Sequence, residues 1–337
     1  MSPARVLVVA PSWVGDLVMA DTLFKLLKQQ APEALIDVLA PAWALPVAAR
    51  MREVTNVIEL PAGHGEVALG ARHRLARELR RRGYSHAYIL PRSAKAALVP
   101  WLARIPRRIG YRGEWRYGLI NRMHRLNPAH ERLVERYAAL AFPAGRPLPG
   151  VLPRPALGSD PAVRAKLLRR LGVDPDAAPI VLCPGAEYGP AKRWPVEYYA
   201  KLAAELRIAG HAVWIVGSAR ERPLGEAITA VASGVANLAG ETTLDEAVDV
   251  LAAAAAVVCN DSGLMHVAAA LDRPIVALYG SSSPRYTPPA ADRVRILYRG
   301  VECSPCFERE CPLGHFKCLR GISPAEVRSA LAELGVP

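Results

Sequence analysis

Short apolar runs of about five or six residues, each closed by Pro, Gly or charge, alternate along this chain with stretches of helical period. The first run, Arg5-Val-Leu-Val-Val-Ala10, is β-branched and ends in Pro11-Ser-Trp-Val-Gly-Asp16, after which Leu17 to Gln30 takes up a helical pattern. That order is strand, glycine-containing turn, helix. Further strands are predicted at Leu35 to Leu39, Val57 to Leu60 and Ala87 to Leu90, with a helix from Val67 to Arg82. In the second half strands are predicted at Ile180 to Cys183, Ala212 to Val216, Ala256 to Asn260, Ile275 to Tyr279 and Val294 to Tyr298, with helices between them. Two helix starts are marked by capping-box spacing, Thr243 with Glu246 and Ser323 with Glu326, and Pro324 stands where a first helical residue belongs. Alternation of this kind means parallel sheets with helices on both faces. Pro and Gly crowd the segment Phe142 to Pro161, so the expected organisation is two α/β domains, residues 1–155 and 156–337, with a cleft between them.

The length of 337 residues suits two domains, each able to bury its own core. Apolar residues make up 51% of the chain, yet no run approaches the ~20 residues that span a bilayer. Met1 to Ala10 lacks the basic start and cleavage site of a signal peptide, and a cytoplasmic location is expected. The net charge of +12 comes mostly from Arg, the side chain suited to bidentate contact with phosphate or carboxylate. Nucleic acid, a phospholipid surface and a phosphorylated sugar all fit that charge, as does an Arg-dressed solvated surface.

Ligands of open α/β sheets bind beyond the carboxyl ends of the strands, which directs attention to three loops. In Asn260-Asp-Ser-Gly-Leu-Met-His266 the strand breaks at Asn260, and Asp261 or Ser262 can cap a helix whose free N–H groups suit a diphosphate. Gly263 permits close backbone approach, and His266 stands about one turn on; a capped helix with a core His is the plain alternative. The loop from Pro184 to Pro195 carries Lys192 and Arg193, cations able to neutralise a leaving diphosphate or simply to be solvated. Glu221 follows the strand ending near Gly217 and is placed either to accept from ribose hydroxyls or to sit exposed in a first helical turn. Asp16, at the first strand-to-helix turn, is a candidate proton acceptor or a helix cap. A helix start favours its anion and keeps it a weak base near a pKa of about 4, so it can act only as the attacking hydroxyl acidifies.

Other chemistries are missing. No Gly-x-x-x-x-Gly-Lys-Ser/Thr loop occurs, and no Gly-x-Gly-x-x-Gly follows the first strand. The one Asp-x-Asp, Asp174-Pro-Asp176, lies in a Pro/Ala turn and reads as solvated.

Taken together, three stretches resemble the ADP-heptose:lipopolysaccharide heptosyltransferases of glycosyltransferase family 9, most closely the type that adds the second heptose. They are Pro11 to Ala20, Pro184 to Pro195, and the run from Asn237-Leu-Ala-Gly-Glu-Thr-Thr-Leu through Asn260 to Ala270 and on to Pro274 to Pro284. The resemblance spans nearly the whole chain. It implies the α/β GT-B fold, two Rossmann-like domains facing a central cleft, and an inverting, metal-independent transfer from ADP-heptose. The acceptor it implies is a heptosylated, phosphorylated Kdo-lipid A, met at the inner face of the inner membrane. On it Asp16 is the catalytic base, Lys192 the diphosphate cation, Asp261, Ser262, Gly263 and His266 the donor loop, and Glu221 the ribose contact. An anionic acceptor then gives Arg92, Lys95, Arg107, Arg108, Arg112 and Arg116 a purpose, by inference from charge. A first-heptose transferase, or a member using another nucleotide sugar, is the alternative. A nucleic-acid-binding protein would need a module or stacking platform that this sequence, 6% aromatic, does not display.

Four of six cysteines fall in Cys303-Ser-Pro-Cys306-Phe-Glu-Arg-Glu-Cys311-Pro-Leu-Gly-His315-Phe-Lys-Cys318. The Cys-x-x-Cys start with two further thiols has metal-ligand spacing, so a structural zinc is one expectation. Reduced thiols in a loop and a reversible disulfide are the others. Cys183 and Cys259 are expected to be inert in buried strands.

Overall fold

The structure, a computed structural model, describes residues 3–61 and 68–336. Two compact units divide the chain at Met1–Pro155 and Ala156–Pro337.

The first unit runs β1 (Arg5–Val9), α1 (Val14–Gln30), β2 (Leu35–Ala40), α2 (Leu45–Ala49), β3 (Val54–Glu59), α3 (Leu69–Arg81), β4 (His86–Ile89), α4 (Ala94–Leu102), β5 (Arg107–Tyr111), β6 (Arg122–His124) and α5 (Leu133–Ala139). All pairings in its sheet are parallel, in the order β3-β2-β1-β4-β5-β6. β1 lies inside, which is why its run is apolar on both faces. α3 shows the opposite pattern, burying Arg72, Leu75, Ala76 and Leu79 on one stripe and exposing most of the rest. The helix expected from Val67 starts at Leu69; Val67 lies outside the described residues.

The second unit runs α6 (Pro161–Arg170), β7 (Ile180–Cys183), α7 (Val196–Ile208), β8 (Val213–Ile215), α8 (Arg222–Thr229), β9 (Ala236–Asn237), α9 (Leu244–Ala252), β10 (Ala256–Asn260), α10 (Gly263–Ala270), β11 (Ile275–Tyr279), β12 (Val294–Tyr298), α11 (Lys317–Arg320) and α12 (Pro324–Glu333). Its parallel sheet has the order β12-β11-β10-β7-β8-β9. Counted within its own unit and read from the other edge, that is the order of the first sheet. Two doubly wound parallel sheets in succession make this an α/β chain. Each sheet reverses direction beside its first strand, between β1 and β4 and between β7 and β10, and these are the points where such sheets take ligands. Both capping boxes form: Thr243 and Ser323 accept from the N–H groups of Glu246 and Glu326, whose carboxylates reach back.

Three strands escape the apolar pattern. β5 opens with Arg107-Arg108, β6 is an edge strand Arg-Met-His, and β9 has two residues. What locks β5 in place is Arg116, wholly removed from solvent. Its guanidinium donates to the carbonyls of Tyr111, Pro91 (2.5 Å) and Ser93 (3.3 Å), joining the turn after β4 to the end of β5. Burial draws its pKa down to about 10, still far above neutrality. Replacing Arg116 by Met leaves those carbonyls without a donor, and a loss of about 2–4 kcal/mol in unfolding free energy is expected by denaturant titration. An unchanged midpoint would refute this reading of the residue.

Candidate functional site

In the second unit the turn after β7 and the turn after β10 are held together by one side chain. Asn260, fully buried, donates from Nδ2 to the carbonyls of Pro184 (2.8 Å) and Gly185 (3.2 Å) and accepts the N–H of Trp194 at Oδ1 (2.9 Å). Trp194 is itself an anchor, its indole donating to the Ile322 carbonyl (2.9 Å) and its ring set edge-on to Tyr199. Between these fixed ends a short 3-10 turn, Pro190–Lys192, presents Lys192. Its Nζ meets Asp261 Oδ2 at 2.5 Å, with both side chains largely shielded from water.

Ser262 stands at the N-cap of α10, but its hydroxyl does not cap the helix. It is buried without a hydrogen-bond partner, as are the hydroxyls of Ser281 and Ser282 in the loop after β11. Buried hydroxyls left open are uncommon in folded proteins. Together with the free N–H groups of α10 from Gly263 onward they make a set of donors suited to anionic oxygens. Ser281 and Ser282 lie just beyond β11, so the rule that found the other loops would have found them too.

His266 is buried one turn into α10. Burial, opposed by Asp261 and reinforced by Lys192, lowers its pKa to about 4, so at neutral pH it offers a hydrogen bond and no charge. Glu221 accepts the N–H (2.7 Å) and hydroxyl (3.0 Å) of Ser218 at Oε2, closing a capping box. Its other oxygen faces Gly185, where any Cβ would collide with the carboxylate. The structure therefore brings Lys192, Glu221, Asp261, Ser262, Gly263 and His266 to the carboxyl edge of one sheet.

Against the Lys192 turn lies the cysteine-bearing loop. The Ala191 N–H donates to the Arg309 carbonyl (3.0 Å), Arg309 Nε donates to the Tyr188 carbonyl (2.8 Å), and the Tyr188 hydroxyl donates to the Phe307 carbonyl (2.5 Å). Lys192 and Arg309 both stand over the Tyr188 ring, 5.1 and 5.4 Å from its centre. Cys303, Cys306, Cys311, Cys318 and His315 line one small cavity of about 20 Å³. All four thiols are free, and among the described residues no group of three or more His, Cys, Asp or Glu side chains is arranged to hold a metal ion. Burial pushes the thiols of Cys183 and Cys259 up, out of the reactive range.

In the first unit Asp16 sits half-buried in the first turn of α1, at the point where the sheet reverses; the cap position belongs to Trp13, which makes no side-chain cap. Arg92, Lys95 and Arg112 lie beyond the carboxyl ends of β4 and β5. Three other arginines do not. Arg107 and Arg108 open β5 at the opposite edge, where Arg107 meets His86 (3.0 Å) and Arg108 serves the carbonyls of Leu119 (2.7 Å) and Ile105 (2.6 Å). Arg116 is consumed by the carbonyls described above. The acceptor role expected for these three is corrected on that ground: charge in a sequence says nothing of which end of a strand carries it or of what it already serves. Arg125, which the sequence reading passed over, follows β6 and joins Arg92 and Arg112 around a pocket of about 400 Å³.

The model of glycosyltransferase family 9 (heptosyltransferase) matches residues 72–317. Lipopolysaccharide heptosyltransferase 2 of Salmonella typhimurium is 43% identical over 98% of this chain and 100% of its own length. Its namesake from Escherichia coli K12 is also 43% identical, over 98% of both chains. The solved structure of E. coli ADP-heptose lps heptosyltransferase II superposes with a TM-score of 0.88 at 42% identity, covering 98% of each chain. The chain belongs to glycosyltransferase family 9, the heptosyltransferases.

Proposed function

We propose that this protein transfers a heptose from ADP-heptose to the heptosylated Kdo-lipid A core of lipopolysaccharide, with inversion at the anomeric carbon. The observation that carries this reading is the 43% identity, over essentially the full length, to two lipopolysaccharide heptosyltransferases 2. A first-heptose transferase is not favoured by those relatives.

On this reading the second unit takes the donor and the first unit the acceptor. Asp16 accepts the proton of the acceptor hydroxyl as its oxygen bonds to the anomeric carbon, while the bond from that carbon to the diphosphate breaks and ADP leaves with the electron pair. Lys192, the start of α10 and the hydroxyls of Ser262, Ser281 and Ser282 meet the charge that develops on the diphosphate, without a metal in the step. Glu221 Oε1 accepts from the ribose. Asp261 keeps Lys192 aimed until the diphosphate arrives, and neutral His266 adds a hydrogen bond. Among the described residues no helix is long and apolar enough to cross a membrane. The basic first unit is proposed to meet the anionic inner face of the inner membrane, where the acceptor resides. Nucleic acid is not a partner on this reading.

A structural zinc belongs to the same proposal in a narrower form. Cys303, Cys306, Cys311 and Cys318 would have to turn toward one point to hold it, and the ion would then brace the loop that carries Arg309 against the Lys192 turn. Metal analysis of the purified chain is the test: one zinc per chain, lost in Cys306→Ser, supports it, and none above background leaves four reduced thiols.

Transfer of labelled heptose from ADP-heptose to mono-heptosylated Kdo-lipid A tests the activity. Asp16→Asn is expected to lower kcat by about 10²–10⁴-fold with donor affinity unchanged. Lys192→Met should lower kcat by about 10²-fold and weaken ADP binding. Because that change orphans buried Asp261, the double variant with Asp261→Asn separates lost charge from lost stability. Full activity in Asp16→Asn would remove the assigned base.

His266 yields a pH dependence. Its folded pKa of about 4 lies below the ordinary value of 6.5, so the unfolded chain binds the extra proton between the two. The stability tied to the neutral ring is complete above pH 6.5 and is lost as pH falls toward 4. Between pH 7 and about 4.5, the native chain should lose roughly 2–3 kcal/mol of unfolding free energy relative to His266→Gln. A difference that stays constant with pH would contradict the buried neutral ring.

A further inference from the structure

The segment from Ser304 to Arg309 lies across two loops of the second unit's site at once. At one end the Ser304 hydroxyl donates to the Gly280 carbonyl, and the Phe307 N–H donates to the Ser281 carbonyl (2.7 Å), both in the loop after β11. At the other end the Arg309 carbonyl accepts the Ala191 N–H (3.0 Å) one residue before Lys192. Gly189 runs so close to that carbonyl that a Cβ there would collide with it.

Tyr188 is the side chain enclosed by these contacts. Its hydroxyl donates to the Phe307 carbonyl (2.5 Å) and its own carbonyl accepts from Arg309 Nε (2.8 Å), so the residue is tied at the tip of its ring and at its backbone. Lys192 Nζ stands 5.1 Å from the centre of that ring, with Asp261 Oδ2 2.5 Å from the same Nζ. The two contacts act differently on the ammonium. A carboxylate balances its charge, and an arriving diphosphate must compete with it. An aromatic face attracts the ammonium through its quadrupole, carries no net charge, and leaves the positive charge available to an anion. A lysine stem is long and flexible, so an ammonium released by its carboxylate would otherwise spread over many positions. The guanidinium of Arg309, 5.4 Å from the same ring centre, adds positive charge beside Lys192 while its Nε is spent on backbone.

We propose that Tyr188 is a positioning residue for Lys192: its ring, fixed by Phe307 and Arg309, keeps the ammonium in place as Asp261 gives way to the diphosphate. The proposal rests on the reading that Lys192 meets the diphosphate of the donor. It gives the segment between Cys306 and Cys311 a task in the reaction, exerted through one aromatic ring.

Tyr188→Leu and Tyr188→Phe are compared in two backgrounds, the native chain and the Lys192→Met/Asp261→Asn double variant, which leaves no orphaned carboxylate. Heptose transfer is measured in each, and so is calorimetric binding of ADP, which needs no turnover. In the native background Tyr188→Leu is expected to lower kcat and ADP affinity by about three- to tenfold, the span of one cation–ring contact, with the acceptor KM unmoved. Tyr188→Phe keeps the ring and should restore most of that loss. In the double variant Tyr188→Leu should cost little more, because the ammonium it acts on is gone. A loss of the same size in both backgrounds means that Tyr188 only supports the loop, and overturns the proposal. Unchanged kcat and ADP affinity in Tyr188→Leu overturn it as well. If the native chain binds ADP but transfers no heptose, the proposed function fails, while the ADP affinities alone still decide this point: a loss confined to the chain that retains Lys192 supports it, and an equal loss in both rejects it.

Discussion

Asn260 is the constraint on which the second unit's site depends. A side chain amide has two donors and an acceptor, and here they are spent on Pro184, Gly185 and Trp194, all in the neighbouring loop. The backbone groups it serves are buried and would otherwise lack partners, so the loop cannot leave without a large cost. Lys192 is thereby held within reach of Asp261, and Glu221 lies against Gly185 from the other side. Arg116 plays the corresponding part in the first unit. It is likewise buried and directed at backbone carbonyls, and it likewise joins the turn after one strand to the end of its neighbour. Two sheets of one strand order are thus pinned at their carboxyl edges by different chemistry.

How much of this is legible in the sequence depends on what each residue is asked to do. β1, β7, β10 and β11 are buried on both faces, and their apolar runs announce them. β5, β6 and β9 are short, or carry Arg at their open ends, and only pairing with a neighbour makes them strands. Capping boxes are local, and both marked ones form. The Asp174-Pro-Asp176 turn is local as well, with Asp174 accepting the Asp176 N–H at 3.0 Å.

Site residues divide along the same line. Asp261 and Ser262 could be singled out because they directly follow a strand and open a helix, and Lys192 because it is a cation in the loop that joins a strand to the next helix. Arg108 and Arg116 could not be sorted from Arg92 and Arg112, since all four read alike as cations within 25 residues. Their difference is one of burial and strand direction, which arise only once β5 is paired. Asn260 shows the same limit: its position at a strand end is visible, but its three partners are far from it along the chain.

The two units also differ in how they handle charge, and on the proposed reading the difference follows from the reaction. A diphosphate gains charge as it departs and must then be released. It is met by a lysine already balanced by Asp261, by a neutral histidine, and by hydroxyl and amide donors that respond to developing charge without holding a full one. Such contacts are stronger in the transition state than before it, which raises turnover. The acceptor's phosphate or carboxylate keeps the same charge from binding to product. On that reading the exposed guanidiniums of Arg92, Arg112 and Arg125, which line one opening of the first unit, suit a constant anion, because a contact that adds equally to the ground and transition states bears on which acceptor binds and not on how fast it reacts.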